Sequence, residues 1–264
     1  MIWGLLKKEI KSNTKLFLII LLIVAIYVFS LLAMYNPDLE ESLVTLEKSM
    51  PEVLALFGMQ DRGTTLLDFI VNYLYRFVLI VTPFVYSSIM CYKLIAKYIE
   101  NGSMAYLLNS FYSRKQIMFT QGIGLILSIF LIIVFTTVLT IVSCYVMHPG
   151  ELDIPGFLLL NLGLLMLQLF LAMFCFMFTG MFVDTKYSIG IGTGIVSFFI
   201  IIQMLSQVFD NGWLKYMNPI NLFNPDRIIQ FDGISIISIG ILFLFSILFF
   251  FIAIKAFENQ DLSL

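Results

Sequence analysis

Apolar residues run through this chain in long unbroken blocks instead of alternating or recurring every third or fourth position. Six blocks are nearly free of charge: about 16 to 35, 69 to 92 (interrupted only by Arg76), 117 to 147, 154 to 183, 187 to 209 and 233 to 254. A bilayer core about 30 Å thick takes roughly 20 apolar helical residues, and each block reaches that length. Strands of a membrane barrel need only about 10 alternating residues, so the blocks predict helices, which satisfy every backbone polar group within the segment. The expected fold class is therefore all-α: a polytopic membrane protein with six transmembrane helices in a single domain over residues 1–264.

The segments between the blocks are uneven. Residues 1–15 place Ile2, Leu6 and Ile10 on one stripe and Lys7, Lys11 and Lys15 on another, which predicts a basic amphipathic helix in the headgroup layer. The first block is too long for a signal-peptide core and no small-x-small site follows it, so it reads as a permanent span. Residues 36–68 form an acidic loop with short surface helices, and residues 93–116 the largest connection on the amino-terminal side, suited to a cytoplasmic contact surface. Residues 210–232, with Trp213, Tyr216, Asn218-Pro219 and Asn224-Pro225, read as an extracellular broken helix dipping into the interface.

Composition agrees: 60% of residues are hydrophobic and 12% charged, where soluble proteins average about 25% charged. With the amino terminus inside, that side carries Lys7, Lys8, Lys11, Lys15, Lys93, Lys97, Arg114, Lys115, Lys186 and Lys255, and the other only Lys48, Arg62, Lys215 and Arg227. The positive-inside bias then puts both termini in the cytoplasm of a multi-pass cell-membrane protein. Most of the acids fall outside, so the net charge of −2 hides an asymmetry that argues against a nucleic-acid partner. The Ile-, Phe-, Lys- and Asn-rich usage fits an AT-rich bacterial genome.

Candidate chemistry is sparse. Cys91, Cys144 and Cys175 are scattered, indicating neither a disulfide framework nor a metal site. No G-x-x-x-x-G-K-[ST] loop and no H-E-x-x-H occurs, and the sole histidine, His148, has no catalytic company. Gly190-Ile191-Gly192-Thr193-Gly194 opens a span with no preceding strand, so Gly190 and Gly194 are expected to let two helices approach closely. Asp68, Asn72 and Arg76 recur every four residues and give the second span a polar stripe. An intramembrane arginine costs about 2.5 to 3.5 kcal/mol on insertion scales, so Arg76 either snorkels outward from a core beginning near Phe77 or faces a cavity or subunit.

The inner segment Glu100-Asn101-Gly102-Ser103-Met104-Ala105-Tyr106-Leu107-Leu108-Asn109-Ser110-Phe111-Tyr112-Ser113-Arg114-Lys115-Gln116-Ile117 resembles the cytoplasmic signature of ABC-2-type transporter permeases. Glu100, Gly102, Leu107, Leu108, Ser113 and Arg114 carry the match, while Phe111 stands where many members have proline. The ending Phe257-Glu258-Asn259-Gln260-Asp261-Leu262 is similar too, with Asn259-Gln260 replacing the usual basic pair.

The resemblance implies the permease subunit of an ATP-driven ABC exporter of ABC-2 (type V) architecture, not itself an enzyme and with no cofactor in this chain. ATP and Mg would bind a separate cytoplasmic ATPase contacting Glu100, Gly102, Leu107, Leu108, Ser113, Arg114 and Lys115. A second permease subunit, identical or paralogous, would complete the pathway within the membrane lipid. Walls rich in Phe, Met, Ile and Leu suit an apolar or amphipathic cargo such as a peptide, drug or lipid-like molecule. The rival classes are a secondary transporter, which calls for several mid-membrane charges where only Arg76 occurs, and an intramembrane enzyme, which calls for clustered catalytic side chains.

The basic asymmetry generates a direct prediction. A single cysteine at position 151 is labelled by an impermeant thiol reagent on intact cells and one at position 114 is not; the reverse pattern overturns the orientation.

Overall fold

The computed structural model describes residues 1–35, 49–57, 65–108, 112–182, 184–208 and 218–260, with only the backbone at 185 and 186. Within them every regular element is helical, and six helices or near-continuous helical runs are long and apolar enough to cross a membrane. In chain order these are α1 (Trp3–Met34), a short α2 (Pro51–Leu56), and a composite second span. That span joins α3 (Leu66–Ile70), a π-helical turn (Val71–Tyr75), α4 (Val78–Cys91), a second π turn (Tyr92–Ala96) and α5 (Lys97–Glu100). There follow α6 (Met104–Leu108), α7 (Arg114–Met147), α8 (Ile154–Met181), α9 (Thr185–Val208), a 3₁₀ turn (Pro219–Leu222), α10 (Pro225–Ile229) and α11 (Gly233–Glu258).

Local chemistry sets the boundaries. Thr65 and Asp68 close a capping box that starts α3, and Ser113 and Gln116 close another that starts α7. Asp232 caps α11 by accepting from the Ile234 N–H at 3.3 Å. Pro155 occupies the first turn of α8, where its missing N–H costs nothing.

The helix α8 is the hub, with 61% of its most apolar window buried within the chain against 28% for α1 and α11. It packs against α11, α9, α4 and α7, and α1 lies against α7. Small residues permit the closest approaches: a Cβ on Gly180 would sit 2.8 Å from the Ala253 carbonyl oxygen of α11. In α9 the contact glycine is Gly192, whose added Cβ would lie 3.2 Å from the Cys175 Cα. This corrects the expectation for Gly190 and Gly194, which meet nothing within 4 Å. Two residues along a helix is about 200° of rotation, so Gly192 faces α8 while its neighbours face away.

Both termini lie at one end of the bundle, here the terminal end. There the Ile2 N–H donates to Thr120 Oγ1 at 2.9 Å and Lys115 pairs with Glu258 at 3.0 Å. At the distal end the His148 ring lies 3.1 Å from the Leu32 carbonyl oxygen, and Tyr35 meets His148 edge-on at 5.1 Å. Burial, and then the Glu151 carboxylate, raise the Tyr35 hydroxyl above its ordinary value.

Two expectations change. Residues 1–15 are the first half of the continuous α1, which at 1.5 Å per residue is roughly 48 Å long and overruns the bilayer core. Its buried side here is Ile2, Leu5, Leu6, Glu9 and Asn13, whereas Ile10 is exposed, so a carboxylate and an amide face inward. The connection at 93–116 is shorter than its sequence suggested, because helix continues to Glu100 and resumes at Arg114.

Inside α4, Pro83 has no N–H to give the Leu79 carbonyl four residues back. Gln168 of α8, fully buried, replaces it: its Nε2 donates to Leu79 O at 2.7 Å and to Ile80 O at 3.0 Å. Gln168→Leu is expected to lower stability by about 1–2 kcal/mol, the cost of an abandoned carbonyl in a dry interior. In a Pro83→Ala background, which restores the backbone donor, the same change costs less; equal losses in both backgrounds, read by unfolding in mixed micelles, would refute the pairing.

Candidate functional site

The residues that carry the permease-like pattern all fall at the terminal end, each with a local reason to be there. Glu100 ends α5 and accepts from the Tyr92 hydroxyl at 2.9 Å. Gly102 takes φ +65, the left-handed conformation that stops a helix at little cost, and turns the chain into α6. Ser113 caps α7 through the Gln116 N–H at 3.3 Å, and Gln116 Oε1 accepts from the Ser113 N–H at 3.2 Å. Arg114 donates from its guanidinium to the Gln260 carbonyl oxygen, and Lys115 pairs with Glu258, so the end of α11 is fastened to the start of α7.

On α6, Leu107 and Leu108 were expected to need an outside partner. They are instead half-buried against a small cluster of Ile2, Leu5 and Ile117, so the start of α1 covers much of them. The side chain left open is Tyr106, 83% exposed. Asn109, Ser110 and Phe111 lie outside the described residues.

A buried polar group at this end escaped the sequence reading. Glu9, 5% exposed, accepts from the Tyr98 hydroxyl of α5 and from Asn13 Nδ2 at 3.2 Å, while the Lys8 ammonium stands 5.1 Å above the Tyr98 ring. These contacts tie α1 to the end of the second span. The available signal was a lone acid among four lysines, four residues before an asparagine.

Asp68, Asn72 and Arg76 lie near the distal end, roughly 36 to 48 Å along the second span from Glu100. Asp68 serves in the capping box of α3, its Oδ2 accepting from the Thr65 N–H at 3.2 Å. Arg76 sits where the π turn gives way to α4, its N–H bonded five residues back to Val71 O at 3.3 Å. Phe77, at φ −135, is the cap of α4, so regular helix restarts where the apolar core was expected to begin.

The Arg76 guanidinium is engaged within the chain. Its Nε donates to Asn72 Oδ1 at 2.8 Å, and one terminal nitrogen meets both oxygens of Asp226 at 2.9 and 2.8 Å. Asp226 belongs to α10, which begins at an Asn224 cap accepting from the Arg227 N–H at 3.3 Å. This broken segment before α11 sits against α8, where Gly163 leaves room: its Cβ would lie 3.0 Å from Ile228 and 3.3 Å from Phe223. Asp226 went unpaired in the sequence because it lies 150 positions from Arg76. Residues 210–217, with Trp213 and Tyr216, fall outside the described residues.

Chemically, the terminal end offers an exposed short helix on a fastened platform, and the distal end an ion-paired strap. Cys91, Cys144 and Cys175 are buried free thiols, and the described residues hold no cluster of metal-ligating groups. The chain matches no family model and no curated protein.

Arg76 and Asp226 are 27% and 52% exposed, so solvent screening keeps their pair near 0.5–1 kcal/mol. Arg76→Leu and Asp226→Asn are therefore expected to be non-additive by about that amount in thermal unfolding of the detergent-solubilised protein. Strictly additive losses would mean that the pair does not hold α10 to the second span.

Proposed function

We propose that this chain is the membrane-spanning permease subunit of an ATP-driven exporter of the ABC-2 (type V) kind. It works beside a second permease subunit and separate cytoplasmic ATPases that bind ATP and Mg, with both of its termini in the cytoplasm. Its cargo is apolar or amphipathic, a peptide, drug or lipid-like molecule. The observation that carries this reading is the segment from Glu100 to Arg114: a helix stop at Gly102, a five-residue helix exposing Tyr106, and a capped return into α7, all at the end where both termini lie. A short helix of this kind, held on a six-span bundle, is suited to receive a push from a motor and pass it on.

In this mechanism closure of the ATPase dimer displaces α6 as a lever. The movement has two rigid routes: through Leu107 and Leu108 onto Ile2, Leu5 and Ile117, and through the Gly102 turn into α5, which Glu9 and Tyr98 tie to α1. Helices fastened this way shift as bodies, because packed interfaces have discrete arrangements and do not deform continuously. The permease residues bind and transmit; they perform no covalent step.

The cleanest test is Tyr106, since changing Leu107 or Leu108 also disturbs the packing on α1. Tyr106→Asp is expected to weaken co-purification of the proposed cytoplasmic ATPase partner about ten-fold or more, the effect of removing an aromatic anchor. Permease-stimulated ATP hydrolysis falls with it, while the yield of folded permease is unchanged. Unaltered ATPase binding and hydrolysis would remove α6 from the interface.

A further inference from the structure

At the terminal end, the start of α7 and the finish of α11 diverge around an open groove of about 560 Å³. Its chemistry is graded along the membrane normal. On α7, Lys115 lies at the rim and Phe119 four residues deeper; on α11, which runs the opposite way, Lys255 lies at the rim and Phe251 four residues deeper. Four residues are about one helical turn, so in both walls the lysine backbone position lies roughly 6 Å outside that of the aromatic residue. Ile254 completes the apolar floor.

Lys115 is held by Glu258, but Lys255 has no carboxylate partner among the described residues. Gln116, whose amide oxygen is taken by the Ser113 N–H, leaves its NH₂ group as a further donor lining the groove. Among the described residues, Lys115 and Lys255 against the single carboxylate of Glu258 give the rim a net positive charge. Phe119 and Phe251 are 37% and 60% exposed, within two of the candidate membrane-spanning helices.

We propose that this groove binds one anionic phospholipid of the surrounding bilayer. Its phosphate sits between Lys255 and Lys115, and an acyl chain lies over Phe251, Phe119 and Ile254. Neither half of the groove suits a different occupant as well: a free anion gains nothing from the aromatic floor, and a zwitterionic headgroup brings its own cation to a positive rim. Anionic headgroups are attracted to lysine clusters at helix ends, and a chain laid along the aromatic floor adds dispersion contact. The proposal does not depend on the exporter reading; it requires only that the six helices span a bilayer.

The full-length protein, purified in a neutral detergent, is titrated with dioleoylphosphatidylglycerol or dioleoylphosphatidylcholine, and bound lipid is counted by native mass spectrometry. One saturable phosphatidylglycerol adduct is expected, with phosphatidylcholine at least ten-fold weaker. The double variant Lys115→Gln/Lys255→Gln should lose the preference. Lys255→Glu alone, which leaves the Lys115–Glu258 pair in place, should weaken the adduct at least ten-fold. Lys7→Gln/Lys11→Gln, removing two exposed cations of α1 near the same end, should retain it. Equal binding of the two lipids, an unchanged adduct in the Lys255 variants, or displacement of the lipid by inorganic phosphate at the same concentration would overturn the proposal.

Discussion

A polar backbone group inside a bilayer has no water to turn to, and the second span breaks its own hydrogen-bond ladder where that matters most. Pro83 withdraws a donor from the Leu79 carbonyl, and the Gln168 amide from α8 supplies one. The replacement fixes the register and rotation of α8 against α4, since a side chain that must reach two successive carbonyls tolerates little sliding. The rest of the bundle is arranged around α8, with α11 brought in at Gly180, α9 at Gly192 and the α10 segment at Gly163. Two glycines on the hub, Gly163 and Gly180, with Gly192 contributed from the neighbouring side, thus turn one anchored helix into the common wall of the structure.

The second span is irregular elsewhere as well. Its α4 body lies between two π turns, Val71–Tyr75 and Tyr92–Ala96, whose side chains are largely buried. A π turn widens the helix and leaves carbonyls less evenly paired, and such turns concentrate at functional positions. Here each lies beside one of the polar fastenings. The first presents Asn72 to Arg76 and so to Asp226; the second leads into α5, where Tyr98 meets Glu9. The regular apolar middle is bounded by polar contacts at both ends, which suits a helix that moves as a body.

The two ends differ in what they leave open. At the distal end Arg76 and Asp226 close the strap onto the second span, and His148 and Tyr35 close the turn beyond α1. At the terminal end the fastenings join α1, α5, α7 and α11, yet Tyr106 and the groove between Lys115 and Lys255 remain accessible. An exposed aromatic side chain and an open, lysine-rimmed groove therefore occur together where both termini meet.

The sequence by itself determined the helical class and the number of spans, because a run of some 20 uncharged apolar residues has few stable alternatives in water or lipid. The caps at Ser113 and Asp232 and the left-handed turn at Gly102 are local as well, resting on residues only a few positions apart, although they did not enter the reading of 93–116 as one connection. What only the tertiary structure decided is which polar residues meet. Arg76 and Asp226, Gln168 and Leu79, and Glu9 and Tyr98 lie between 89 and 150 positions apart, and no local rule selects one partner among the chain's acids, carbonyls or hydroxyls. The same holds for faces: an almost uniformly apolar helix carries no periodic signal of which side is inward. Gly190, Gly192 and Gly194 look equivalent in sequence, and only the packing of α9 on α8 distinguishes the middle one.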